Sequence, residues 1–165
     1  MLKDLLAPRL RLVVCGTAAS TVSAARGLYY AGPGNKFWQV LCEVGLINRQ
    51  LRPEEYEELL SFGIGLTDVA KGQAGGDAAI DFSLADPQSL REKLLLFAPR
   101  IVAFNGKKAA QVFLGQRRVE YGLQAEAIGK NTRLFVAPST SGAATRSWDV
   151  NLWKELAQLV GEEDR

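Results

Sequence analysis

A chain of 165 residues that contains no histidine must perform any acid, base or nucleophilic chemistry with carboxylates, amides, hydroxyls, lysines or its own backbone. Three residues stand out by place rather than by type. Asp68 ends the apolar run FGIGLT, so its carboxylate is expected at the carboxyl end of a buried strand, a position that also suits a turn former or a helix cap. Asn35 opens the helical pattern NKFWQVLCEV, where its amide could serve a site or cap the helix. Tyr30 follows Tyr29 in a loop of glycine and alanine and offers an aromatic face there.

The stretch 11–38, RLVVCGTAASTVSAARGLYYAGPGNKFW, holds two of these residues. A long, glycine-rich connection leaving a buried strand is more often a site than a link. Its first residues, Gly16, Thr17, Ala18, Ala19 and Ser20, are small enough for backbone to come close to a ligand. The stretch contains neither G-x-x-x-x-G-K-[ST] nor G-x-G-x-x-G, and in GPGNKF no Ser or Thr follows the lysine, which argues against a nucleotide-hydrolase or dinucleotide site. Further on, STSG lacks the G-x-S-x-G frame of a hydrolase elbow, and no histidine exists to activate a serine. Cys15 and Cys42, the only cysteines, read as small core residues. No metal and no cofactor is expected.

The elements that must position these residues follow from the apolar pattern. LRLVVCG, FGIGLTDVA, RIVAFNG and TRLFVAP are continuously apolar rather than alternating, as buried parallel strands are. Helical patterns cover 35–44, 53–61, 87–97, 106–114 and 148–160, with Asp86 placed as an N-cap directly before Pro87. Strands alternating with helices predict a three-layer α/β/α sandwich around a mostly parallel sheet of about four strands. Ligands of such sheets sit beyond the carboxyl ends of the strands, which is where the segments following Gly16, Asp68, Asn105 and Pro138 begin.

Composition bounds the rest. At 47% apolar and 23% charged the chain is expected to fold as one domain over 1–165. MLKDLLAPRL is too short and too interrupted for a signal peptide, and no run approaches the roughly 18 apolar residues of a membrane span, so a cytoplasmic protein with no membrane partner is expected. The formal charge is only +2, yet the segment 100–119 carries five basic residues (Arg100, Lys107, Lys108, Arg117, Arg118) and no acid. That run suits either a solvated face or a phosphate track.

Taken in order, the strand and Gly16, the aromatic Tyr30, GPGNKFW, GIGLTD and APSTSGAATR resemble the mismatch-specific uracil and thymine DNA glycosylases of the uracil-DNA glycosylase superfamily. The resemblance runs from about Leu12 to Trp153, nearly the whole chain. Two departures fall on the chemistry. Where the family reads G-I-N-P-G, with an Asn that positions the attacking water, this chain reads GTAAS at 16–20. Where the family reads N-P-S-G-L-S, with a bulky residue that fills the hole left by the flipped base, this chain has Ser139, Thr140, Ser141, Gly142, Ala143 and Ala144, with Arg146 close by.

The resemblance implies a uracil-DNA glycosylase-like fold and a monofunctional repair enzyme. Such an enzyme flips a deaminated or mismatched base out of double-stranded DNA and hydrolyses its N-glycosidic bond, with uracil first and hypoxanthine or thymine in G mispairs as further candidates. It would act as a monomer. Tyr30 would stack the base, and residues 16–20 would hold its carbonyls through backbone N–H groups. Asp68 would supply the missing catalytic group, with Asn35 as the competing residue. Ser139 to Ala144 would meet phosphates, supported by Lys107, Lys108 and Arg146. The alternative is a non-catalytic lesion or mismatch binder of the same fold; an unrelated small-molecule α/β domain is the third reading.

Overall fold

The computed structural model describes residues 2–164. Four parallel strands, β1 (Leu12–Gly16), β2 (Ile64–Asp68), β3 (Ile101–Asn105) and β5 (Thr132–Ala137), share one sheet with β4 (Gly122–Ile128), in the order β2-β1-β3-β5-β4. Every residue of β1, β2 and β3 is buried, which is why these strands read as unbroken apolar runs. Successive side chains nevertheless serve different layers. Leu12 and Val14 pack with Phe37, Leu41, Trp153 and Leu156 on one face, whereas Val13 and Cys15 pack with Leu90, Leu94, Phe104 and Phe113 on the other.

The helices divide accordingly: α2 (Phe37–Glu43) and α5 (Val150–Glu163) cover the first face, α3 (Pro87–Phe97) and α4 (Lys107–Leu114) the second. The three-layer α/β/α architecture is therefore as expected, with five strands instead of about four. The additional strand, β4, pairs antiparallel to β5 at the sheet edge. Its sequence GLQAEAI is polar at Gln124 and Glu126 and exposed over most of its length, so it carries no buried-strand pattern.

Other differences are local. Asp86 accepts from Ser89 N at 3.0 Å and Pro87 takes the first helical position, as expected of α3. The expected helix at 53–61 is instead a 3₁₀ helix, Pro53–Phe62, in which only Leu59 is fully buried, so little packing favours the α form. A short helix, α1 (Thr21–Arg26), lies within the first connection; Ser20 Oγ caps it by accepting from Ser23 N at 3.1 Å, and Gly27 ends it at φ 67°. Finally, the segment before β1 pairs with β2, Leu5 and Leu66 exchanging backbone bonds of 2.9 and 2.8 Å.

Candidate active site at the carboxyl ends of the strands

A cavity of about 470 Å³ opens where β1, β2, β3 and β5 deliver their loops. Residues 16–20, Tyr30, Asn35, Asp68, Lys107, Lys108, Ser139, Thr140, Ser141, Ala143 and Ala144 all line it. Gly142 and Arg146 do not: Gly142 packs against the backbone of Gly34, and Arg146 sits exposed in a 3₁₀ turn, Thr145–Ser147. The volume falls within the range of roughly 300–1,000 Å³ typical of small-molecule sites.

Gly16 and Asp68 are register partners across β1 and β2. A Cβ on Gly16 would lie 2.7 Å from Asp68 Oδ1 and 3.0 Å from Tyr30 Oη, so the glycine leaves the room that both side chains occupy. Asp68 is only 6% exposed. Burial pushes its carboxyl above the ordinary range, and Lys71, whose Nζ lies 3.3 Å from Oδ2, pulls it back in part.

Lys71 and Asp4 were not singled out by their sequence context; neither lines the cavity, but Lys71 bonds Asp68 and Asp4 bonds Lys71. Lys71 Nζ also lies 2.8 Å from Asp4 Oδ1 and donates to Tyr29 Oη at 3.0 Å, while the Tyr29 hydroxyl donates to Lys3 O at 2.8 Å. Burial works against the charge on Lys71, but Asp68, Tyr29 and Asp4 outweigh it and hold the ammonium above the usual lysine range. Asp4 lies so far from Asp68 in sequence that no spacing rule joins them. Lys71, three residues after Asp68, was the one visible signal.

Tyr30 lines the cavity with its ring stacked on Phe37 (centroids 4.0 Å apart, 26° between planes). Its backbone is left-handed at φ 52°, a conformation costing a side-chain-bearing residue roughly 1–2 kcal/mol. Its hydroxyl is buried without a hydrogen-bond partner, and burial keeps the phenol protonated far above neutral pH. Such strain and an unsatisfied polar atom cluster at functional sites.

Asn35 lines the cavity, and its Oδ1 accepts from Phe37 N at 3.0 Å in an Asx turn that leads into α2, whose N-cap position is Lys36 and not Asn35. At the end of β3, Asn105 also faces the cavity; it was not among the expected site residues. Its Nδ2 donates to Thr140 Oγ1 at 3.0 Å and its Oδ1 accepts from Thr140 N at 2.9 Å. Thr140 is thereby a fully buried anchor, and outward contacts of that loop fall to its neighbours. Lys36 N donates to Thr140 O at 2.9 Å, which joins this loop to the GPGN turn.

The first loop is held from the β2 side: the carbonyls of Gly16, Thr17 and Ala19 accept from Val69, Ala70 and Gly75 at 3.0, 2.8 and 2.9 Å. Thr17 Oγ1 donates to Asp77 Oδ1 at 2.9 Å at the rim. On the opposite rim Lys107 lies over Tyr121 (4.4 Å) and Lys108 over Phe82 (4.8 Å), so aromatic rings hold both ammonium groups beside the opening. Cys15 is buried and Cys42 partly buried, both as free thiols packed with the core.

A buried carboxylate, a stacked tyrosine, two cavity amides and a basic rim suit a flat polar ring attached to a phosphate-bearing chain. A solution NMR structure of a protein from Methanosarcina acetivorans, provisionally named a uracil DNA glycosylase, superposes with a TM-score of 0.64. It is 23% identical, over 97% of this chain and 96% of that one, and so shares the fold. The family model of the Uracil DNA glycosylase superfamily matches residues 3–157, which spans every element described above except the end of α5. The chain belongs to the uracil DNA glycosylase superfamily, whose members in general hydrolyse N-glycosidic bonds of bases in DNA.

Proposed function

We propose that this chain is a monofunctional DNA glycosylase that removes uracil, and as further candidates hypoxanthine or thymine opposite guanine, from double-stranded DNA. The observation that carries the reading is a carboxylate, Asp68, buried at the cavity floor opposite a glycine that makes room for it. Flipping a base costs a few kcal/mol and is easiest at mismatches, so damaged pairs are favoured before chemistry begins. Once inside, the base stacks on Tyr30, which Phe37 backs.

The bond between base and deoxyribose then breaks with its electron pair leaving on the base. Backbone N–H groups of Ala18, Ala19 and Ser20, in a cavity-lining loop held by bonds to the carbonyls of Gly16, Thr17 and Ala19, would donate to a base carbonyl. The sugar gains positive charge, which the Asp68 carboxylate stabilises. Water adds to the anomeric carbon and gives its proton to Asp68, with the Asn35 amide assisting its placement. A small-residue loop rejects few analogues, which supports a broad range of deaminated bases.

Lys71 supports a hydrolytic rather than strand-cutting reaction: an ammonium held charged by Asp68, Tyr29 and Asp4 does not attack the sugar. At and beside the cavity mouth, Ser139, Ser141, Gly142, Ala143 and Ala144 would meet the DNA backbone, with Lys107, Lys108 and Arg146 supplying charge. The test is release of base from labelled duplexes carrying G·U, A·U, G·T and hypoxanthine pairs, read as alkali-labile sites. Release of uracil without a borohydride-trapped adduct is expected, with Asn35→Ala slower by about tenfold. Salt-dependent binding to mismatched DNA without release from any duplex would instead establish the lesion-binding alternative, which the absence of a catalytic side chain in GTAAS favours.

A further inference from the structure

Lys71 has no role in the reaction just described beyond not being a nucleophile, yet it is the most heavily bonded lysine of the site. Its Nζ is surrounded by Asp68 Oδ2 at 3.3 Å, Asp4 Oδ1 at 2.8 Å and Tyr29 Oη at 3.0 Å. It is not part of the cavity lining, so it reaches Asp68 from behind. Its anchors are themselves fixed. Asp4 accepts from Thr67 Oγ1 at 2.7 Å and pairs with Lys93 of α3 at 2.5 Å, and the segment bearing Asp4 is bonded to β2 through Leu5 and Leu66.

We propose that Lys71 is a positioning residue: held by Asp4 and Tyr29, it keeps Asp68 ionised inside the cavity and grips Oδ2, leaving Oδ1 on the Gly16 side to act on the sugar and water. This rests on the reading of Asp68 as the catalytic anion. A carboxylate this deeply buried loses most of its hydration, and one close ammonium is what makes the charged form attainable.

The other titratable groups facing Asp68 do not substitute for Lys71. Cys15 of β1, and Tyr29 and Tyr30 of the first connection, are all pushed up by burial and remain neutral. Burial also disfavours the charge on Asp4, but Lys71 and Lys93 overcome this and hold its carboxyl below the ordinary range, so it is ionised and repels Asp68. Asp4 therefore helps by fixing Lys71 in place and not by its own field.

The test measures Asp68 directly, by ¹³C titration of side-chain carboxyls in labelled protein without DNA, the resonance being identified by its loss in Asp68→Asn. Lys71→Met is expected to raise the proton affinity of Asp68 by about tenfold or more, as loss of an adjacent opposite charge does. Lys71→Gln, which keeps a hydrogen-bonding end without charge, should do the same and serves if the Met variant does not fold; Lys71→Arg should titrate as the wild type. In single-turnover base release the acid limb of the Met or Gln variant should move to higher pH by the same factor, with the alkaline plateau recovered to within a few-fold.

An Asp68 titration unmoved by both neutral variants, or a uniform rate loss at every pH, overturns the proposal. Absence of base release by the wild type would overturn the glycosylase reading alone, since the carboxyl titration does not depend on it.

Discussion

The two strand ends that meet at Gly16 and Asp68 are neighbours in register and opposites in construction. After β1 the chain offers GTAAS, backbone and almost no side chain; after β2 it offers a buried carboxylate with a lysine three residues on. Both ends line the same cavity, and in the proposed reaction the first would admit the base and the second act on the sugar. Each depends on the other, because the space vacated at Gly16 is what Asp68 Oδ1 and Tyr30 Oη fill, and the segment after Asp68 is what bonds the first loop in place. On the proposed reading, Asp68 on the adjacent strand would stand in for the side chain that GTAAS lacks.

The largest effect expected from disturbing this pairing short of removing Asp68 itself is from Gly16→Ala. The methyl would stand 2.7 Å from Asp68 Oδ1, so the carboxylate must move. Displacement of a reacting group by about 1 Å costs on the order of 100-fold in rate. Single-turnover base release should fall by about that factor while circular dichroism stays native. An unchanged rate would show that Asp68 is not held where the reaction needs it.

A smaller effect is expected at the rim. Lys107 and Lys108 flank the cavity without reaching the floor. Changing both to alanine should weaken DNA binding uniformly across duplex sequences and lessen the slope of log K against log salt by up to about 2, leaving the saturated single-turnover rate within a few-fold of wild type. A changed rate at saturation would instead place one of them in the reaction.

The smallest effect concerns stability. Because burial raises the Asp68 pKa in the folded chain, its contribution is most favourable at low pH and is lost as pH rises through the folded value. Asp68→Asn, which resembles the neutral acid, should therefore gain in melting temperature relative to wild type as pH rises through that value. That relative gain should shrink as pH falls. A difference in melting temperature that does not grow with pH would mean that the Lys71 pair fully offsets burial.

The parallel strands were legible because both faces of β1, β2 and β3 are covered, which writes an unbroken apolar run into the sequence. The same rule hid β4, since an edge strand with Gln124 and Glu126 has no such obligation. At the site, Gly16, Tyr30 and Asp68 could be placed in one crevice from the strand-end rule alone. Asp4 could not, because its contact with Lys71 depends on how the first segment pairs across β2. Asn105 was visible as the end of RIVAFNG, but that it binds Thr140 through both ends of its amide is a matter of loop packing.

Asp68 as the group that replaces the missing first-motif amide is the central claim. The measurement that tests it most directly is single-turnover release of uracil from a G·U duplex by wild-type protein and by Asp68→Asn. Loss of one preorganised electrostatic group typically costs about 10²–10³ in rate. The account predicts release by the wild type and a loss of that order in the variant; release at an equal rate by both would contradict it.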